Sequence, residues 1–155
     1  MHLTLLRHAK ATDREEWSES DADRPLTKAG IEQARRVLVA TAPLITASEI
    51  WSSPWLRARQ TGELASSVWE LPLREMPWLA GEALQPAERA ARLERRTDTV
   101  LVGHEPDLGD LARFLCGARL DLKKCGLVLL VGDPVSGGMT LRGLWSPKMV
   151  LGLDG

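Results

Sequence analysis

Residues 97–104 read TDTVLVGH, and from Val100 the run is apolar on both of the faces a strand would present. A strand without a polar face is stable only inside a sheet covered on both sides, the environment of parallel sheets in α/β proteins. Other segments fit that frame. HLTLL at 2–6 and SEIWSS at 48–53 are short strand candidates, and LVLLV with MTLRGLW form a late strand pair around the turn residues GDPVSGG. Helical patterns lie between them. Thr27 is an expected N-cap for a helix whose apolar face uses Ile31, Ala34, Leu38 and Ala42. Ser53 and Pro54 are expected as N-cap and N1 of a second, with Leu56, Leu64, Ala65 and Val68 facing inward. A loop containing Pro72 and Pro77 precedes a third helix over QPAERAARLERR at 85–96, and DLGDLARFLC is a fourth, closed by Gly117. Strands alternating with helices of this length predict an α/β three-layer sandwich, a mostly parallel central sheet with helices on both faces.

The 155 residues, 44% of them hydrophobic, suffice for one core, and a single domain spanning 1–155 is expected. Twenty basic residues against twenty-one acidic give a net charge of −1, without long blocks of one sign, so nucleic-acid and membrane-surface partners are not expected. His2, Arg7 and Lys10 interrupt the N-terminus too early for the apolar core of a signal peptide, and a cytoplasmic location is expected. Cys116 and Cys125 lack a CxxC spacing and read as reduced structural thiols.

In an open parallel α/β sheet, ligands bind in the crevice outside the carboxyl ends of the strands. The first strand ends at Arg7 and His8, the second just before the helix that carries Arg57, and VLVG runs into His104. Three segments therefore deliver Arg7, His8, Arg57 and His104 to one sheet edge. Two of these are permanent cations, and Arg57 falls in the first turn of a helix, where free N–H groups and the dipole also favour an anion. A guanidinium fork grips phosphate oxygens in pairs and leaves one face of phosphorus open. The pocket is built for phosphate.

These residues resemble the histidine phosphatase (phosphoglycerate mutase-like) superfamily, and most closely its short SixA-like branch of phosphohistidine phosphatases. The matching stretches are LLRHAKA at 5–11, DRPLTKAG at 23–30, SSPWLRARQT at 52–61 and VLVGHEPDLGDL at 100–111, in the family's order and across most of the chain. Ala9 stands where many superfamily members have glycine, as it often does in the SixA-like branch. The resemblance implies that His8 is the nucleophile that becomes phosphorylated, and that Arg7, Arg57 and His104 bind the phosphoryl group. It implies a substrate that is a phosphorylated protein carrying phosphohistidine, or else a small phosphate ester, with no metal or other cofactor.

An attacking imidazole must be unprotonated, and a neighbouring guanidinium at ~4 Å opposes the imidazolium by on the order of 4 kcal/mol at an effective dielectric near 20. The second ring nitrogen of His8 is expected to donate to a backbone carbonyl. Alkyl phosphates also need a general acid, and Glu82 in PWLAGEAL is the candidate in a segment too short to form a large lid. Other residues have plainer readings. Arg59 and His2 should lie away from the crevice, Lys10 and Arg24 on its rim or in solvent, and Asp107 is the expected cap of the helix after Glu105. Trp17, Trp55 and Trp78 either line an approach or fill the core. Two further classes compete: a metallohydrolase using His8, His104, Glu105 and Asp107, which lacks an HExxH or three-ligand spacing, and a non-catalytic phosphate-binding module, which the intact set of four disfavours.

Overall fold

The computed structural model describes residues 1–80, 83–93 and 97–152. Its strands are β1 (His2–Arg7), β2 (Glu49–Ser52), β3 (Leu73–Glu75), β4 (Thr99–Gly103), β5 (Leu127–Gly132) and β6 (Met139–Trp145). They form one six-stranded sheet in the order β3-β2-β4-β1-β5-β6. β1 to β4 pair in parallel, and β5 and β6 run antiparallel at one side. β4 lies between β1 and β2 and is buried at every residue, which is why its sequence carries no polar face.

The helices are α1 (Lys28–Thr41), α2 (Leu56–Trp69), α3 (Pro86–Ala90), α4 (Asp107–Cys116) and α5 (Pro147–Leu151). Strand alternation divides the core into two layers. Leu3, Leu5 and Leu101 pack with Leu108, Leu111, Ala112 and Leu115 of α4. Leu6, Val100 and Val102 point the other way, onto Ala34, Val37 and Leu38 of α1 and Ala58 and Ala65 of α2. The result is a three-layer α/β sandwich. Among the described residues, no helix is long and apolar enough to cross a membrane.

Several boundaries differ from the sequence reading. Thr27 caps α1 as expected, its Oγ1 accepting the Gly30 N–H at 2.9 Å, and Gly117 closes α4 with φ 77°. Ser53 and Pro54 precede α2 rather than starting it, because Trp55 is the N-cap and Ser53 turns inward. The buried face of α2 is Arg57, Ala58, Thr61, Gly62 and Ala65, with Leu64 and Val68 only partly buried. A polar stripe is buried there because the helix leans on the site. The expected helix at 85–96 is helical only over Pro86–Ala90, and residues 94–96 lie outside the described residues. The proline-flanked loop contains β3, a three-residue edge strand, and α5 follows β6 behind a Ser146 cap. Asp107 does not cap α4. Glu105 does, its Oε1 accepting the Gly109 N–H at 2.6 Å, while Asp107 pairs with Arg89 at 3.2 Å.

The connection that follows β1 is seated directly on α1. Thr27 N–H donates to the Lys10 carbonyl at 3.0 Å and Thr12 N–H to that of Pro25 at 2.9 Å. Gly30 makes this approach possible, since a Cβ there would run into the Lys10 carbonyl oxygen and stand 3.1 Å from its carbon. In an ordinary helix interior, Gly→Ala gains about 1 kcal/mol. Here the obstacle is backbone two residues beyond His8, so Gly30→Ala should instead destabilise the protein by about 1–3 kcal/mol in urea unfolding, the usual cost of overpacking. A variant more stable than wild type would show that the connection yields freely.

Candidate active site

The parallel ladder continues past the strand ends. Arg7 is in register with Gly103 and Ser52 with Val102. His8 N–H then donates to the Gly103 carbonyl at 3.0 Å, and Ser53 N–H to that of Val102 at 2.9 Å. His8, Ser53 and His104 thus leave the sheet side by side. The loop before β5 closes the other flank, where Cys125 N–H bonds to the carbonyls of Arg7 and His8 at 3.1 Å each. Cys116 and Cys125 are free thiols, and burial pushes Cys125 up to about 12.

His8, Arg57 and His104 are buried, at 6%, 4% and 8% exposure. The two imidazole rings lie 5.3 Å apart between centroids. His8 Nδ1 is 2.7 Å from the Ala9 carbonyl, and since a carbonyl only accepts, Nδ1 carries the proton and Nε2 has the free lone pair. Ala9 is itself held, its N–H donating at 3.0 Å to Thr61 Oγ1, which donates at 2.8 Å to the Arg57 carbonyl. One hydroxyl therefore ties the loop after His8 to the helix that carries Arg57. His104 Nε2 lies 2.8 Å from Ser53 Oγ.

The two arginines are anchored differently. Arg7 Nη1 donates to the Leu122 carbonyl at 3.0 Å. Arg57 Nη1 donates to the Asp21 carbonyl at 2.7 Å and Nη2 to its Oδ2 at 3.3 Å, and the guanidinium sits 4.9 Å from the Trp55 ring centre. The carboxylate of Asp21 also meets Arg24 at 2.9 Å and Arg14 at 3.5 Å, leaving one negative charge among three positive ones. Among the described residues, the buried Arg7 Nε, Arg57 Nε and His104 Nδ1 have no partner. Of these, the two arginine Nε–H groups can only donate.

Charge follows from this packing. Burial, more than any neighbouring charge, lowers His8 to about 3. The Ala9 carbonyl opposes the shift, while His104, Arg57 and Arg7 reinforce it. Arginine repulsion is thus the lesser cause of a neutral His8, contrary to the weight the sequence reading gave it. His104 is lowered to about 4, again first by burial and then by Arg57, Arg24 and Arg7, against Asp21. For Asp21, burial pushes up, but the Arg24 bond and the charges of Arg57, Arg24 and Arg14 outweigh it and leave it lowered. Both rings are neutral at neutral pH in a pocket that is otherwise cationic.

The structure brings together all four residues expected at the sheet edge. Trp55 joins them, its ring 5.2 Å from that of His104, whereas Trp78 is core, set edge-on to Trp51. Trp17 bonds the Ser20 carbonyl. Arg24 braces the loop through Asp21 and the Thr12 carbonyl, and Lys10 is exposed. Arg59 pairs with Glu63 and Glu75, and His2 faces Asp98 at the opposite end of β1. Glu82 lies outside the described residues. The carboxylates of Glu105 and Asp107 are turned to Gly109 and Arg89, and no three His, Cys, Asp or Glu side chains among the described residues group to hold a metal ion. Asp21, Ser53 and Thr61 are site residues that sequence reasoning missed.

The family model for the histidine phosphatase superfamily (branch 1) matches residues 3–100. An uncharacterized protein of Picosynechococcus sp. (strain ATCC 27264 / PCC 7002 / PR-6) is 38% identical over 138 residues, 83% of each chain. The solved structure of the protein histidine phosphatase SixA complexed with tungstate is similar with a TM-score of 0.79 and 28% identity, over 95% of this chain and 97% of that one. A phosphoserine phosphatase from Entamoeba histolytica, solved with 3-phosphoglyceric acid, shares the fold with a TM-score of 0.72 at 17% identity, over 96% and 98% of the two chains. With its Arg-His strand end among SixA-like neighbours, the chain belongs to the histidine phosphatase superfamily, branch 1, and is a phosphatase.

Proposed function

We propose that this phosphatase removes phosphate from phosphohistidine in a protein, through a covalent intermediate on His8. The observation that carries the reading is the His8 imidazole, with Nδ1–H committed to the Ala9 carbonyl at 2.7 Å and Nε2 unprotonated among Arg7, Arg57 and His104. In-line attack by Nε2 forms a P–N bond to His8 as the P–N bond of the substrate breaks. The two arginines and His104 hold the equatorial oxygens, so positioning and charge stabilisation supply the rate. Water then attacks phosphorus, the P–Nε2 bond breaks, and His8 returns neutral while the water's proton leaves with phosphate or solvent. No described residue has to gain or lose a proton in the first step.

That economy bears on the substrate. A phosphohistidine whose second nitrogen is protonated departs as a neutral imidazole, whereas an alkyl ester departs as an alkoxide and needs an acid worth about 10²–10⁴-fold. Among the described carboxylates near the site, Glu105 accepts a helix N–H and Asp107 and Asp21 are paired with arginines. The stretch between Arg57 and His104 is too short to form a large lid, which suits a phosphorylated side chain presented on a protein surface.

Turnover stopped without acid should trap phosphate on His8, in a linkage labile to acid and stable to alkali. His8→Ala should abolish both turnover and labelling with the fold kept, as circular dichroism would show, and hydrolysis at the wild-type rate by that variant would reject the assignment. Compared side by side at neutral pH, kcat/KM for phosphohistidine peptides should exceed that for phosphoserine peptides or 3-phosphoglycerate by roughly 100-fold or more. Equal or better rates on the alkyl esters would favour a small-ester phosphatase and leave the His8 nucleophile standing.

The neutral histidines also make stability depend on pH. Folded values of about 3 for His8 and about 4 for His104 lie below the ordinary 6.5, so below that value the unfolded chain binds protons that the folded one does not. Their contribution is present above 6.5 and is lost as pH falls toward the folded values. From pH 7 to pH 5 each should remove about 2 kcal/mol from the unfolding free energy, and His8→Asn/His104→Asn should flatten that dependence in urea titrations. An unchanged slope in the double variant would mean that the two rings are not held neutral.

A further inference from the structure

We propose that Ser53 is a positioning residue that sets the tautomer of His104: its hydroxyl donates to Nε2, which leaves the ring proton on Nδ1 for a phosphoryl oxygen. This deepens the phosphatase reading above and rests on it for the role of the phosphoryl oxygen.

The assignment follows from counting protons on a buried hydroxyl. Ser53 is fully buried, and among the described residues its Oγ has two partners, the Trp55 N–H at 3.2 Å and His104 Nε2 at 2.8 Å. A hydroxyl carries one proton and two acceptor sites. The Trp55 amide can only donate, so it occupies one acceptor site and leaves the Ser53 proton free. Were His104 Nε2 also protonated, it would take the second acceptor site and the Ser53 proton would be stranded without an acceptor in the interior, an arrangement that buried polar groups avoid. With the hydroxyl as donor, every group around Ser53 is satisfied. A neutral imidazole has one N–H, and with Nε2 accepting it must be on Nδ1.

The other end of the ring gives the same answer. Nδ1 is buried and has no partner among the described residues. As a lone pair it would oppose the oxygens of an incoming phosphoryl group, and as an N–H it binds one. The charged groups that act on His104 are Arg57, Arg24 and Arg7 on the cationic side and Asp21 on the other, with the neutral His8 ring and Trp55 packed against it. Among the described residues, none of these accepts a hydrogen bond from Nδ1 that would compete for its proton.

The two histidines of the pocket therefore do opposite things by one rule. In His8 an acceptor, the Ala9 carbonyl, draws the proton to Nδ1 and frees a lone pair for phosphorus. In His104 a donor, the Ser53 hydroxyl, fills the Nε2 lone pair and leaves an N–H for oxygen.

The tautomer can be read without substrate, by 15N NMR of the histidine-labelled full chain at neutral pH. Wild-type His104 should show a protonated Nδ1 and an accepting Nε2, and Ser53→Ala should lose that preference. In turnover, Ser53→Ala should lower kcat/KM on the order of 10- to 100-fold, short of the 10²–10³-fold that losing a donor outright costs. Ser53→Thr, which keeps the hydroxyl, should recover most of it. In a His104→Ala background, Ser53→Ala should cost nothing further, whereas a merely structural serine would cost as much in either background. A wild-type His104 protonated on Nε2, or undiminished loss in the His104→Ala background, would overturn the proposal. Failure of the phosphatase reading would show separately, as turnover that survives His8→Ala.

Discussion

Two backbone hydrogen bonds made just beyond the ends of strands hold the site together: His8 N–H to the Gly103 carbonyl, and Ser53 N–H to that of Val102. Because β1, β4 and β2 are parallel and adjacent, these bonds carry the sheet's register one residue further, into the crevice. Segments far apart in sequence are thereby brought level, His8 with His104 and Ser53 with the preceding Gly103. The side chains need only short reaches to meet, and the pocket inherits the rigidity of the most buried part of the protein. An apolar β4 is therefore a functional requirement as well as a packing one, since a strand paired on both edges and covered on both faces is what fixes His104 beside His8.

Gathering positive charge out of water is costly, and this pocket holds a buried arginine beside two buried histidines. The chain answers this in two ways. The histidines are kept neutral, by burial above all, so that they add no charge. Arg57, almost fully buried, is balanced by the Asp21 carboxylate and faces the Trp55 ring. Asp21 satisfies Arg57 on one edge of its fork while Nε has no partner among the described residues, so the guanidinium is both held in place and incompletely satisfied by them. Preorganisation of this kind spares the enzyme from reorienting donors when the substrate arrives.

What could be read from the sequence was whatever depends on near neighbours or on strand ends. The Thr27 cap, the Gly117 stop and the all-apolar β4 are local signals, and all three are found. Arg7, His8, Arg57 and His104 were legible because the topology alone sends strand ends to one edge. Asp21, Ser53 and Thr61 were not, because their roles are defined by partners 36, 51 and 52 residues away, and nothing local distinguishes them from solvated loop or helix residues. The inner face of α2 was misread for a related reason: a hydrophobic stripe was sought where the helix buries Arg57 and Thr61. β3 escaped because three residues between prolines, at the sheet's edge, carry no periodicity.

Proton placement links the fold to the chemistry proposed for it. In the attack on a phosphohistidine, one imidazole replaces another on phosphorus, and each keeps a proton on its far nitrogen throughout. For His8 that proton is fixed by the Ala9 carbonyl, whose own residue is tied through Thr61 to the helix of Arg57. His8 and the helix that carries Arg57 are therefore linked by one chain of hydrogen bonds. An exchange between like leaving groups has little driving force in either direction, so the site gains nothing from a strong acid and much from holding the two nitrogens in line with phosphorus. The water step that follows makes the process irreversible. It needs the same neutral His8 as leaving group, which the burial of the pocket already provides.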